Sequence, residues 1–502
     1  MAQEWILAID QGTTNTKGLL FDRDAQPVFR SSAPVKLLQP RSGWVEQDPM
    51  ELWQSVVTVA ADCRAFADSH AGRISGIALT NQRETAVTWR PAESSSGSGG
   101  IPIGNAITWQ CRRSAEECDR LQNHAVTIRS ITGLPLDPLL SATKWAWLLD
   151  SQPALRALAQ SGGLLFGTVD SWILYNMAGG QVHATDHTNA SRTALMSLES
   201  LAWDERPLEL FGIAKEALPD IRTSSSDFGV CTAIPALSGV PVVSMIGDSH
   251  GAFVGHSCYQ PGAVKATYGT GSSLMMLTAR LIDQSDGLAR TVAWSSGGDV
   301  HFALEGNIAM SGAAVQWVGE FLGLARPVDD AAAMASTVPD AAGMLMVPAM
   351  VGLGAPHWDA AARGIACNLE RSHTSAHLAR AALDSIAYQV ADVLECMENA
   401  AGVRLPVLLA DGGATRNNTL MQMQADVIGR SVLRSSQEEL SARGAAMLGG
   451  LTLGWWRSLD ELSTLSTGDD RFEPAISEGD RLRMRRLWSL AVKRARLREE
   501  TV

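Results

Sequence analysis

The chain has 502 residues, of which 46% are hydrophobic, 6% aromatic and 19% charged. That is too apolar for intrinsic disorder, and at roughly 100–200 residues per domain the length points to two to four domains. Against 53 Asp and Glu stand 41 Lys and Arg, a net charge of -12, so the bulk field repels nucleic acid rather than recruiting it.

The start, MAQEWILAIDQGTT, has no basic region followed by a long apolar run, so no secretory signal is expected. Residues 5–10 read as a strand, 11–14 as a tight turn and 16–22 as a second strand, which residues 27–31 extend. Within residues 10–17, DQGTTNTK, Gly12 lets backbone approach an anion, and the following amides and hydroxyls can donate to phosphate oxygens. Asp10, at the strand end, can hold Mg2+ through water. An unliganded hairpin turn fits the same octapeptide. Residues 51–67 have helical spacing and 74–79 form another short apolar run. Strands alternating with helices predict an α/β class.

Arg83 and Glu84 follow that run. They can bind neighbouring hydroxyls, Glu accepting and Arg donating, or form an ordinary surface ion pair. Residues 94–100, SSSGSGG, read as a flexible loop at a hairpin tip rather than a linker. Trp109 suits either a core or the apolar wall of a polyol pocket. The buried run 240–246 leads through Gly247 to Asp248, a carboxylate at a strand end, where α/β proteins place their sites; a helix N-cap is the local alternative.

Residues 268–273, YGTGSS, repeat the Gly-Thr turn about half a chain later. This echo suits a duplicated pair of domains, each presenting a turn. Residues 376–401 form a long helix, capped by Thr374 or Ser375 and ended by Gly402. A strand at 407–410 enters DGGATRNN, whose glycines would let an adenine or ribose lie against backbone, or simply make a turn before a helix. The basic segment 481–499 reads as an amphipathic helix docked by Leu487, Leu490, Ala491 and Leu497 rather than a nucleic-acid or membrane stripe.

There is no GxxxxGK[ST] loop, no GxGxxG and no HExxH. No run approaches the roughly 20 apolar residues that span a membrane. The cysteines are scattered, at 63, 111, 118, 231, 258, 367 and 396. Reduced thiols in a cytoplasmic protein is the expectation.

Taken together, AIDQGTTNTK, SGWVEQDPMELW, GIALTNQRET, AITWQCRRSAE, TDHTNASRT, IGDSHGAFVG, TYGTGSS, ALEGNIAMSGAAVQW and DGGATRNN resemble the FGGY carbohydrate kinases, and the glycerol-phosphorylating branch most closely. The likeness runs nearly end to end. It implies two actin-like ATPase (ribonuclease H-like) domains, residues 1–252 and 253–502, each a mixed sheet flanked by helices, with the active site in the cleft between them. It implies ATP with Mg2+ as phosphoryl donor and a small polyol or sugar as acceptor. Neither nucleic acid nor membrane is an expected partner, and a homo-oligomer, dimer or tetramer, is. By resemblance Asp248 is the catalytic base and, with Asp10, a metal residue. Thr13, Thr14, Asn15 and Lys17 match the first phosphate hairpin and Thr270 the second. Gly312, Gln316, Gly413 and Asn417 match nucleotide contacts, and Arg83, Glu84 and Trp109 the polyol grip.

Three positions depart from the glycerol-binding pattern. Leu139 stands where a tyrosine is usual, Ser249 where a glutamine follows the catalytic aspartate, and Ser273 where a phenylalanine follows the second turn. The pocket is expected to be roomier. Two acceptors therefore stay open: glycerol, giving glycerol 3-phosphate, or a larger polyol or ketose such as a tetritol, pentitol or pentulose. A competing class is an actin-like ATPase that acts on no sugar; it would share the turns but need no polyol grip.

Overall fold

The computed structural model describes residues 3–91, 99–283, 285, 287–465 and 470–498. The chain divides into two units: Met1–Tyr259 with Arg290–Phe302 and Glu439–Ser466, and Gln260–Ala289 with Ala303–Glu438 and Thr467–Val502.

The first unit is built on a mixed sheet of β1 (Glu4–Gln11), β2 (Asn15–Phe21), β3 (Pro27–Pro34), β4 (Arg73–Asn81) and β5 (Val242–Gly247). Its spatial order is β5-β4-β1-β2-β3. The hairpin pairs antiparallel, Asp10 opposite Lys17 and Gln11 opposite Thr16, while β4 lies parallel to both β1 and β5. β1 and β5 are almost wholly buried, as strands covered on both faces must be. Helix Pro49–Ser69 starts on the Asp48 side chain, which accepts from Met50 N, and buries Leu52, Val56, Val59 and Cys63. It approaches so closely that a Cβ on Gly18 would lie 3.0 Å from Val59 Cβ.

Helix Asp248–Gly255 continues directly from β5. It packs on helix Leu440–Thr452 through glycine: a Cβ on Gly444 would meet Gly251 O at 1.9 Å. Backbone-to-backbone contact leaves that pair little freedom, and it fixes the direction in which Asp248 leaves the strand.

The second unit repeats the plan. β6 (Val264–Tyr268) and β7 (Ser272–Thr278) form an antiparallel hairpin, and β9 (Leu408–Asp411) lies parallel to β6. With β8 (Asp299–Ile308, residues 303–308 of which belong to this unit), β10 (Val432–Arg434) and β11 (Asp470–Phe472), the order is β8-β7-β6-β9-β10-β11. The echo between the two Gly-Thr turns is thus an echo of hairpin plus parallel third strand. Helix Ser375–Ala401 ends at Gly402 in the left-handed conformation, φ +67°, and buries Ile386, Val390, Val393 and Met397.

The strands flanking SSSGSGG pair antiparallel, Pro91 opposite Gly100; the tip itself, residues 92–98, lies outside the described residues. The C-terminal helix Glu478–Ala495 corrects an expectation. It docks through Trp488, Ala491, Val492 and Ala495, while Leu487, Leu490 and Leu497 are exposed. Trp488 stacks on Tyr388 at 5.0 Å and donates to Asp392 Oδ2 at 2.6 Å, and Arg485 pairs with the same carboxylate at 2.8 Å. Those contacts turn the helix so that the aromatic face, not the leucine face, is covered.

Candidate functional site

In the first unit, the β1–β2 turn closes with Gly12 N donating to Asn15 O at 2.9 Å. Two amide side chains brace it. Gln47 Nε2 donates to Thr13 O at 2.7 Å, and the two N–H groups of Gln82 Nε2 are shared among Gln47 Oε1, Gln11 Oε1 and Gly12 O, all within 3.2 Å. Trp109, 37% exposed, donates Nε1–H to Thr13 Oγ1 at 3.1 Å. Asn15 Nδ2 donates to Thr14 Oγ1. Lys17 is tied to Glu439 at 2.8 Å, and Arg30 pairs with the same carboxylate at 3.0 Å.

Asp10 sits half-buried at the base of the turn. Burial pushes its carboxyl up to about 7; Lys17 opposes this, while the charges of Asp248 and Glu439 add to it. Such a carboxyl gains from a cation. Asp10 and Asp248 are the residues here with the chemistry for Mg2+, which takes one or two carboxylates and keeps several waters. Among the described residues no cluster of three or more His, Cys, Asp or Glu makes an all-protein metal cage.

Asp248 is the first residue of its helix, and Gly247 N before it is held by Thr188 Oγ1 at 2.9 Å. Arg83 Nε lies 3.3 Å from Asp248 Oδ1. A Cβ on Gly247 would meet Arg83 Cδ at 2.7 Å, so the glycine lets the arginine lie against the strand end. Glu84 is buried and sits at φ +60°, a left-handed conformation that a side chain adopts only when its surroundings impose it. Arg192 Nε holds its carboxylate at 2.6 Å. Its carbonyl accepts from Lys144 Nζ at 3.0 Å and Ser141 Oγ at 3.1 Å. Leu139 is half-buried, its N–H bonded to Asp137 Oδ1. Ser249 N donates to Asp248 Oδ1 at 2.6 Å.

In the second unit, Gly269 O and Thr270 O accept from the amides of Gly312, Ser311 and Ala313 at 2.9–3.0 Å. The second turn is thereby seated on the start of helix Gly312–Phe321. A Cβ on Gly312 would meet Gly269 O at 2.6 Å. Gln316 is exposed and bonds Glu320. Gly412, at φ +94°, lies against Tyr268 backbone, whereas Gly413, among the described residues and apart from its chain neighbours, has no protein atom within 4 Å of a built Cβ. Asn417 caps helix Asn418–Ile428 by accepting from Leu420 N at 3.1 Å. Ser273 Oγ approaches Glu305 Oε1 at 3.5 Å.

Sequence reasoning passed over Lys144, Arg192, Glu439 and the braces Gln47 and Gln82. NQRET and TDHTNASRT carry Gln82 and Arg192, and their adjacency to Arg83 and to the Thr188 strand-end support is a usable signal. Nothing local marks Lys144 or Glu439.

Hairpin turns rich in amide and hydroxyl donors, and a carboxylate and arginine at a strand end, are the parts of a phosphotransferase with an alcohol acceptor. The family model described as the N-terminal domain of the FGGY family of carbohydrate kinases matches residues 5–255, and its C-terminal counterpart matches residues 264–453. The chain belongs to the FGGY family of carbohydrate kinases. It is 43% identical over 504 residues to a glycerol kinase of Paraburkholderia xenovorans, covering 100% of both chains. It is 44% identical over 499 residues to one of Symbiobacterium thermophilum, covering 99% of each. Among solved structures it resembles a Plasmodium falciparum glycerol kinase with ADP, with TM-score 0.93, 29% identity and 99% of each chain covered. A xylulose kinase of Lactobacillus acidophilus, 22% identical with TM-score 0.86 over 98% of this chain and 97% of that one, shares the fold.

Proposed function

We propose that the chain is an ATP-dependent kinase that transfers the γ-phosphoryl group to a primary hydroxyl of glycerol, yielding glycerol 3-phosphate. The observation that carries this reading is end-to-end identity of 43–44% with glycerol kinases. The polyol grip is Arg83, Glu84 and Trp109. Nucleotide contacts come from Thr13, Thr14, Asn15 and Lys17 in the first unit, and from Thr270, Gly312, Gln316, Gly413 and Asn417 in the second.

Asp248 orients the acceptor hydroxyl and takes its proton. An ordinary aspartate, with pKa near 3.9, is too weak a base to ionise an alcohol beforehand. A loose transition state makes that unnecessary, since the proton leaves late. Arg83, its Nε 3.3 Å from Oδ1, holds the carboxylate in place for that role. Asp10 and Asp248 would hold Mg2+, whose chemistry there is neutralisation of phosphate charge. The rest is positioning, worth several kcal/mol when reacting groups are held in line.

A larger acceptor is the second reading, favoured by Leu139, Ser249 and Ser273: one apolar and two short hydroxyl side chains leave more room. Steady-state kcat/KM across glycerol, tetritols, pentitols and pentuloses decides. Glycerol best by a wide margin supports the first reading; a five-carbon acceptor preferred by tenfold or more replaces it. ADP formation independent of any polyol would instead indicate a non-sugar ATPase. The reading extends to a cytoplasmic enzyme, in keeping with its free cysteines and with the absence, among the described residues, of any helix long and apolar enough to cross a membrane. It extends also to a dimer or tetramer, for which the exposed, stacked Trp317 and Phe321 offer an apolar patch. Light scattering measures the latter.

A further inference from the structure

We propose that Lys144 is a positioning residue for acceptor recognition: its buried side-chain nitrogen ties the backbone of Glu84 to that of Leu139 and so sets the spacing of the polyol grip. The inference rests on the proposed polyol kinase reading and deepens it.

Lys144 lies on helix Ser141–Ser151 and is fully buried, at 0% exposure. Its Nζ donates to two backbone carbonyls, Glu84 O at 3.0 Å and Leu139 O. It forms no ion pair among the described residues. A lysine is seldom buried without a carboxylate partner, because its charge must be taken out of water. Burial holds Lys144 down at about 7, with Arg112 acting in the same direction and Glu84, Cys111 and Asp137 opposing. An apolar side chain of equal length would fill the same volume without that cost. What it would not do is bond the two carbonyls.

Those carbonyls belong to residues that the sequence places at the acceptor. Glu84 stands at φ +60°, and such a conformation persists only where neighbours over-determine it. Arg192 fixes its carboxylate; Lys144 and Ser141 fix its carbonyl. Among the described residues, no strand pairing joins the segment around Glu84 to that around Leu139. The Lys144 side-chain nitrogen bridges them directly, and the ion pair of Arg112 with Asp137 at 2.9 Å anchors the Leu139 turn from its other side. Losing the bridge lets Glu84 relax toward ordinary backbone geometry and moves its carboxylate relative to the acceptor. The bond chemistry of transfer, which Asp248 serves, is untouched. The consequence is weaker acceptor binding with little change in turnover.

The test is Lys144→Met in the full chain, with Ser141→Ala as a milder second variant that removes one donor to Glu84 O and keeps the lysine. For each, kcat, acceptor KM and ATP KM are measured beside wild type, using whichever acceptor the wild type turns over best, with melting temperature as the folding control. Lys144→Met is expected to raise acceptor KM by about 10–100-fold with ATP KM and kcat within threefold, and Ser141→Ala to raise it by about 3–10-fold. An acceptor KM within twofold of wild type in folded Lys144→Met overturns the proposal. So does a parallel rise of both KM values, which is what general loosening would give. If Lys144→Met does not fold, Ser141→Ala decides by the same criteria. Failure of the kinase reading shows separately, as a wild type with no acceptor-dependent ADP formation.

Discussion

Replacing Gly413 by alanine adds one methyl group at a point where, among the described residues and apart from its chain neighbours, no protein atom lies within 4 Å of the new Cβ, and no left-handed φ at this position stands in the way. Gly413 opens the short 3-10 turn Gly413–Arg416, which alanine can enter at no steric cost. The unfolded chain loses freedom, so the folded state should gain about 0.4–1 kcal/mol. If the nucleotide lies against this backbone, the methyl group meets the ligand instead of the protein. Overpacking of that kind costs about 1–2 kcal/mol, or about 5–30-fold in ATP KM. Gly312→Ala is the contrasting case. Its Cβ would sit 2.6 Å from Gly269 O, where ordinary contact begins at 3.4 Å. The turn at Thr270 must shift and the 2.9 Å bond from Gly312 N to Gly269 O must stretch. That variant should lose about 1–3 kcal/mol of stability along with nucleotide affinity. Urea unfolding and steady-state kinetics separate the two: Gly413→Ala weakens ATP alone, Gly312→Ala weakens ATP and fold together. A Gly413→Ala enzyme with wild-type ATP KM would show that residues 411–418 do not line the nucleotide.

Asp248→Asn should keep its circular dichroism spectrum and melting temperature, since the side chain is 40% exposed, yet lose about 10²–10⁴ in kcat. Asp10 has its carboxyl raised to about 7 by burial, so the folded chain binds a proton more tightly than the unfolded one. Stability from this group is present below pH 4 and is lost as pH climbs to 7. Asp10→Asn should therefore be more stable than wild type by about 2 kcal/mol at pH 8, discounted because the group is partly exposed, and equal to it near pH 4; urea titrations at both values check this. Glu439→Gln frees Lys17 and Arg30. With both cations partly exposed it should cost under about 1 kcal/mol of stability and lower ATP KM, whereas Lys17→Met raises it; opposite signs in the two variants are the result to look for.

The sequence was informative where the determinants are local. A Gly-Thr turn between two apolar runs needs only its own residues to declare a hairpin, and both hairpins form where that pattern occurs. Arg83 and Glu84 are adjacent, and Asp248 follows its strand at once. Partners far along the chain left no such trace. Glu439 lies 422 residues from Lys17, Arg192 lies 108 from Glu84 and Lys144 lies 60 from it. The C-terminal helix shows a different limit. Its leucines look like the docking face by hydropathy, but the covered face is chosen by one tryptophan that finds both a stacking partner and a carboxylate. Hydrophobic periodicity says that a helix has a buried side; it does not weigh one large aromatic against several leucines.

A chain of net charge -12 that handles an anionic nucleotide must solve its electrostatics locally. Lys17 and Arg83, cations among the proposed site residues, each stand beside a carboxylate, Glu439 and Asp248. Neither presents an uncompensated positive charge. Beside these compensated cations, each turn offers uncharged donors: one is braced by Gln47 and Gln82, the other is seated on the first amides of helix Gly312–Phe321. Fixed dipoles of this kind cost no reorganisation when charge arrives, and they act at contact distance, where the net field of the chain matters least. The same logic accounts for the buried Lys144. It donates to the backbone carbonyls of Glu84 and Leu139, so its N–H groups hold the geometry of the proposed acceptor grip rather than add to its field. In the proposed site, then, Lys17, Arg83 and Lys144 each hold other groups in place, and the neutral donors beside them are fixed by those contacts.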